Sequence, residues 1–130
     1  MPHSAEHAKA PGAVMEREHQ IQIGLAQALV DHLEQGGDAK LAAEILDQLV
    51  AYSSAHFMSE ELLMRLASYV DYDDHVADHM HMMDELDAIL ELHKAGQAAL
   101  ELAKVRAVQD FLLKHIQTRD ARFAALGQTA

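Results

Sequence analysis

His56 and Glu60 stand four residues apart in this chain, and so do His75 and His79. On an α-helix that spacing puts both side chains of a pair on one face, one turn apart. An imidazole nitrogen and a carboxylate oxygen so placed form a ready chelate for a first-row transition metal. Three more residues extend the set: His19, His115 and Asp120. His19 and His115 fall where an apolar helix stripe would otherwise carry Leu. Asp120 is less simply placed, because five residues after His115 is about 140° round an ideal α-helix. Either it is a solvated acid at a helix end, or a local bulge carries it inward, as helical bulges at functional positions do.

For these side chains to meet, four helices must converge. Residues 1–12 read as an arm ending at Pro11-Gly12. From Ala13 an inward stripe runs through Met15, His19, Ile23, Ala26, Val30 and Leu33. Gly36-Gly37 stops this helix, and Asp38 is placed to cap the next. The second stripe holds Leu41, Ile45, Leu49, Tyr52, His56, Glu60, Leu63 and Ala67. After a break at 68–74, with Asp71 or Asp73 as cap, the third runs through His75, His79, Met82, Leu86, Ile89 and His93 towards Lys94 and Gly96. The fourth carries Val105, Val108, Leu112, His115 and Arg119, flanked by Leu102, Phe111 and Ile116, and Gly127 is its expected end. No period-two pattern suggests a strand. The expected fold is all-α, an antiparallel up-down-up-down four-helix bundle over residues 13–127.

Composition narrows the chemistry. The 130 residues suit one domain, large enough for a core without covalent staples. The absence of cysteine removes disulfides, iron–sulfur clusters and thiolate-ligated zinc or haem. A formal charge of −11 argues against nucleic acid and anionic membranes as partners. No apolar run is long enough to span a bilayer, and Met-Pro-His-Ser-Ala-Glu-His has no signal core, so a cytoplasmic location is expected. Histidine is the outlier: ten, as many as Lys and Arg together. His32 and His81 lie off their stripes, His3 and His7 fall in the arm, and His93 sits near a helix end, so these five read as solvated or capping residues.

The remaining five histidines and two carboxylates must share something. A buried Glu without a partner is strongly destabilised, so it needs a proton or a cation. Seven candidates are too many for one zinc ion. If two six-coordinate metals share the site, five imidazoles, two bridging carboxylates and a single-atom oxygen bridge fill every position but one. That vacancy, on one metal only, admits a small exogenous ligand. Di-iron oxygenases use four carboxylates and Glu-x-x-His pairs. The two such pairs that those enzymes need do not occur here, where only Glu16-x-x-His19 has the spacing, and the poorer anionic set tilts the chemistry towards binding dioxygen over activating it.

His19, His56-x-x-x-Glu60, His75-x-x-x-His79 and His115-x-x-x-x-Asp120 together resemble the ligand signature of the hemerythrin family. Tyr52, Phe57, the Glu60-Glu61 doublet, Met64, Tyr69 and Leu113-x-His115-Ile116 are similar to its bacterial members. The lead-in Val-Met-Glu-Arg-Glu departs from the Trp and Asp that many of those members carry before the first histidine. The resemblance implies two iron ions (Fe2+/Fe3+) with an oxo or hydroxo bridge and reversible dioxygen binding. It implies that His75, His79 and His115 hold the saturated iron, that His19 and His56 hold the iron with the open position, and that Glu60 and Asp120 bridge. Phe57 and Leu112 would resemble the apolar wall of the ligand pocket. The expected partner is dioxygen, with no nucleic acid or membrane, in a monomer or weak homo-oligomer. Other roles open to the same site are a di-iron enzyme acting on peroxide or nitric oxide, and a module that senses oxygen or iron or donates iron.

Overall fold

The computed structural model describes residues 10–94 and 102–129. Helices α1 (Ala10–Glu34), α2 (Ala39–Leu66), α3 (Tyr72–Lys94) and α4 (Leu102–His115) form four rods. The fourth continues through a π-helical turn, Ile116–Asp120, into α5 (Ala121–Thr129). No strand occurs among the described residues, and α1 and α3 each pack against both α2 and α4. The result is an all-α four-helix bundle. Among the described residues no helix is long and apolar enough to cross a membrane.

Local chemistry sets the ends of the rods. Within the described residues α1 runs from Ala10, so Pro11 and Gly12 lie in its first described turn and not before it. Proline is tolerated there because the first helical N–H groups have no intrahelical acceptor. At the other end Gly36, at φ +68°, closes the helix: Gly36 N–H donates to Leu33 O and Gly37 N–H to His32 O. Asp38 then caps α2, its carboxylate accepting from Leu41 N–H at 2.7 Å. His32, expected to be solvated or capping, is half-buried and pairs through Nε2 with the Asp38 carbonyl at 2.8 Å. Its ring covers Gly37 so closely that any Cβ there would collide with it.

α2 ends in the same closing pattern, with Ser68 N–H donating to Arg65 O and Tyr69 N–H to Met64 O. Here the left-handed position is taken by Ser68, at φ 51°. Asp71 stands at the cap position of α3, its carbonyl accepting from His75 N–H, while its carboxylate binds Arg122 of α5 at 2.8 Å. Asp73 lies within the first turn of α3, beside Asp74. Gly96 lies outside the described residues. Gly127 does not end the last helix, which runs on to Thr129.

Ala26, Leu29, Leu46, Leu49, Leu86 and Val105 belong to the apolar core. The stripes on α3 and α4 follow the sequence expectation except that Leu90 is also buried, His93 is only half-buried, and Asp120 and not Arg119 is buried in the fourth rod. Those on α1 and α2 need correction. On α1 the buried positions are Met15, His19, Gln22, Ala26, Leu29 and Val30, with Ile23 only half-buried. On α2 they are Ala42, Leu46, Leu49, Ser53, His56, Phe57, Glu60 and Met64. Leu41 is exposed, and Ile45, Tyr52 and Leu63 are half-buried or more open. On α2 the buried line keeps Leu49, His56 and Glu60 but lies one position beyond Leu41, Ile45, Tyr52 and Leu63, at Ala42, Leu46, Ser53 and Met64. Small residues such as Ala42 and Ser53 occupy the inward line where the helices approach closely.

Candidate metal centre

The seven residues lie early in α1 and α3 and late in α2 and the fourth rod, so antiparallel packing brings them to one level of the bundle. All seven are buried. His56 and Glu60 share a face of α2, and His75 and His79 share a face of α3, as the four-residue spacing requires. Asp120 reaches the interior through the π turn. Ala121 N–H donates to Ile116 O, the i→i+5 pattern that inserts one residue and rotates the chain beyond it. Thr118 Oγ1 donates to the Lys114 carbonyl at 2.7 Å, satisfying a backbone acceptor beside the turn.

Two carboxylates hold the centre of the cluster. Glu60 Oε2 lies 3.3 Å from His19 Nε2 and 3.4 Å from His56 Nε2, and its Oε1 lies 2.9 Å from His79 Nε2. Asp120 Oδ1 lies 2.9 Å from His75 Nε2 and 3.0 Å from His115 Nε2, and its Oδ2 lies 3.0 Å from His19 Nε2. Two sets of donor atoms therefore overlap. His19, His56, Glu60 and Asp120 form one, and Glu60, His79, His115 and Asp120 the other, with the donors of each set within 4.8 Å of one another. His75 joins through Asp120. Glu60 and Asp120 belong to both sets, the placement that bridging between two cations needs.

The outer nitrogens show what the inner ones can do. His56 Nδ1 donates to Glu18 at 2.6 Å, His79 Nδ1 to Glu61 at 2.8 Å and His115 Nδ1 to Asp78 at 2.9 Å. With the proton on Nδ1, each neutral ring turns an Nε2 lone pair inward. While those rings are neutral, the three Nε2 atoms carry no hydrogen, and they, with Glu60 Oε1 and Asp120 Oδ2, are buried without a donor among the described residues. Lone pairs facing carboxylate oxygens at about hydrogen-bond distance require a positive charge between them. Imidazole nitrogen and carboxylate oxygen are the donors that iron and its first-row neighbours accept. The residues present fit a metal site.

Without a metal, protons serve. Burial alone would lower His19, but hydrogen bonds to Asp120 and Glu60 raise it to about 9. His56 and His115 are likewise raised, their carboxylate partners outweighing burial. Burial pushes the Glu60 carboxyl up, yet hydrogen bonds from His19, His56 and His79 hold it at about 2. Asp120 sits well below the usual carboxylate range because His115, His19 and His75 overcome the same burial penalty.

Glu18, Glu61 and Asp78 were not assigned a role from the sequence. Each adjoins a candidate ligand on its own helix, yet each holds a histidine of the next: α1 supports α2, α2 supports α3, and α3 supports α4. The available signal was an acid beside each of His19, Glu60 and His79. Such carboxylates orient ligating imidazoles and raise their basicity. Arg119, the residue expected on the inward stripe, instead anchors Asp78, with Nε 2.6 Å from its Oδ2.

Phe57 stacks on the His79 ring with centroids 4.0 Å apart and an interplanar angle of 9°. Phe57 and Leu112 both line an internal cavity that continues into the apolar core. Of the other histidines, His81 is exposed with its ring against Phe111, and His93 is half-buried near the end of α3. His3 and His7 fall outside the described residues.

Comparison with known proteins agrees with this geometry. The family model of the hemerythrin HHE cation binding domain matches residues 10–126. Among curated proteins, the bacteriohemerythrin of Methylococcus capsulatus is 28% identical over 103 residues, 79% of this chain and 78% of that protein. The myohemerythrin of Theromyzon tessulatum is 27% identical over 86 residues, 66% of each chain. No solved structure gives a significant match. With the profile covering nearly the whole bundle and the cation-ready cluster at its centre, the chain belongs to the hemerythrin family.

Proposed function

We propose that this protein binds dioxygen reversibly at a pair of iron ions held by His19, His56, Glu60, His75, His79, His115 and Asp120. The observation that carries this reading is the overlap of two donor sets on the same two carboxylates. Glu60 and Asp120 would bridge the ions under an oxo or hydroxo group. His75, His79 and His115 would complete one ion, and His19 and His56 the other. The second ion would then have fewer imidazoles to hold it, leaving room for dioxygen. Bound iron supplies the reversible electron transfer that dioxygen needs. The chain's own residues position the ions and exclude water, with Phe57 and Leu112 as the dry wall of the pocket. Relatives described as a bacteriohemerythrin and a myohemerythrin support the same direction. We read the protein as cytoplasmic, a monomer or weak homo-oligomer, acting on dioxygen and not on nucleic acid.

The test is metal content per chain together with the visible spectrum through cycles of reduction and re-oxygenation. Stoichiometric iron and a band that returns with each oxygenation are expected. Absence of stoichiometric iron would refute the metal pair. Rapid irreversible turnover would replace a carrier with an enzyme.

A further inference from the structure

Gln22 and Ser53 are each 1% exposed, among the most buried polar side chains of the bundle, and the metal cluster does not use them. Gln22 Nε2 donates to Ser53 Oγ at 2.8 Å, joining α1 to α2. Gln22 Oε1 has no hydrogen-bond partner among the described residues. A pin between two helices does not need that orphan, and an apolar residue would avoid it. The amide oxygen therefore points to a use beyond packing.

Position suggests the use. Gln22 lies three residues after His19 and Ser53 three before His56, so each is about one helical turn from a candidate ligand. Because α1 and α2 run antiparallel, both steps lead the same way, off the metal level and into the bundle. There both side chains line the internal cavity that Phe57, Met82 and Leu112 also line. The cavity gives about 10 Å³ to the centre of a water-sized molecule, the least that admits a single water. Gln109 is the one further polar residue on its wall, a second possible partner for a water, and the rest of the lining is apolar.

We propose that Gln22, fixed by Ser53, is a hydrogen-bond acceptor built into the ligand pocket. It holds one water when the pocket is at rest and favours small ligands that carry a proton, such as hydrogen peroxide, over aprotic ones such as azide. The ligand preference rests on the reading of the His19–His56 position as the open one. The water seat does not, because it needs only the amide and the cavity. The notch gives one site two characters, a dry wall at Phe57 and Leu112 and a single wet point at Gln22.

The test uses Gln22→Met, which keeps length and removes the acceptor, and Ser53→Ala, which removes the anchor. In the metal-free protein, NMR cross-relaxation between water and the Gln22 side-chain amide should reveal a long-lived water. That water should be lost in Gln22→Met, whose melting temperature should equal or exceed the parent's. In the oxidised, iron-loaded protein, hydrogen peroxide and azide are titrated separately. Gln22→Met should weaken peroxide about fivefold, the worth of one neutral hydrogen bond, and leave azide within about twofold. Ser53→Ala should shift the ratio in the same direction by less. A dry amide in the metal-free parent overturns the notch. Equal losses for both ligands, or none, overturn the preference. An iron-loaded parent that binds neither dioxygen nor either probe overturns the dioxygen reading and the ligand preference with it, whereas the water measurement still decides the seat.

Discussion

Asp78 offers the sharpest test of how the imidazoles are held. Its Oδ2 accepts from His115 Nδ1 at 2.9 Å and from Arg119 Nε at 2.6 Å. The His115 side chain is 1% exposed and that of Asp78 is 22% exposed. Asp78→Ala leaves a buried imidazole N–H without an acceptor, at a cost of about 1–3 kcal/mol. It also frees the ring to turn. Removing such an outer carboxylate generally costs about 10–100-fold in metal affinity. Because Asp78 is reached by solvent, water can replace part of the lost bond, which places the loss near the lower end, about tenfold. Competition against a calibrated chelator, in anaerobic ferrous iron, measures it. Asp78→Asn keeps an acceptor oxygen and should recover most of the affinity. Asp74→Ala is the control, since its carboxylate meets Arg119 only at 3.7 Å and touches no candidate ligand. Affinity in Asp78→Ala within about twofold of the parent, or an equal loss in Asp74→Ala, would refute the idea that acids on one helix brace the ligands of the next.

Glu60→Ala removes a carboxylate common to both donor sets, so iron per chain should fall below two, with loss of thermal stability in the loaded protein; elemental analysis and melting check both. His81→Ala, altering an exposed ring against Phe111, should leave iron content unchanged by the same analysis. Ser68→Gly places glycine at φ 51° and should stabilise the fold by about 1 kcal/mol, read from denaturant midpoints. The metal-free protein should have a definite pH optimum for stability. His19 is raised from 6.5 to about 9, so its contribution is complete below pH 6.5 and lost as pH rises through 9. Glu60 is lowered from 4.5 to about 2, so its contribution is present above pH 4.5 and lost as pH falls through 2. Melting of chelator-treated protein should therefore peak between pH 4.5 and 6.5, and a maximum at pH 9 would contradict the proton-for-metal substitution.

Much of this was readable from the chain because polar residues break apolar stripes visibly. His56, Glu60, His75 and His79 announce a face through their spacing alone, and His19 and His115 through the leucines they displace. Gln22 and Ser53 were hidden for the converse reason. A neighbouring Ile23 or Tyr52 looks like the better inward residue until packing fixes the rotation of the helix by one position. Glu18, Glu61 and Asp78 were hidden because their partners are on other helices, and adjacency to a ligand along the chain says nothing about which imidazole an acid will meet in space. Asp120 was ambiguous on ideal geometry, and only the π turn resolved it.

That turn acts as a phase correction in the fourth rod. Its one extra residue brings Asp120 to the angle that a residue four after His115 would have on a plain α-helix, where each residue turns about 100°. Removing one residue from 116–119 should therefore straighten the rod and still leave the acid facing inward, with the tie between Arg122 and Asp71 in phase. Straightening the rod at its present length would instead rotate both by about 100° and take a carboxylate out of the centre while every histidine stayed in place. Four- and five-residue gaps between the last imidazole and its acid are thus two spellings of one geometry, and a motif fixed at either length describes only some of the chains able to build this centre.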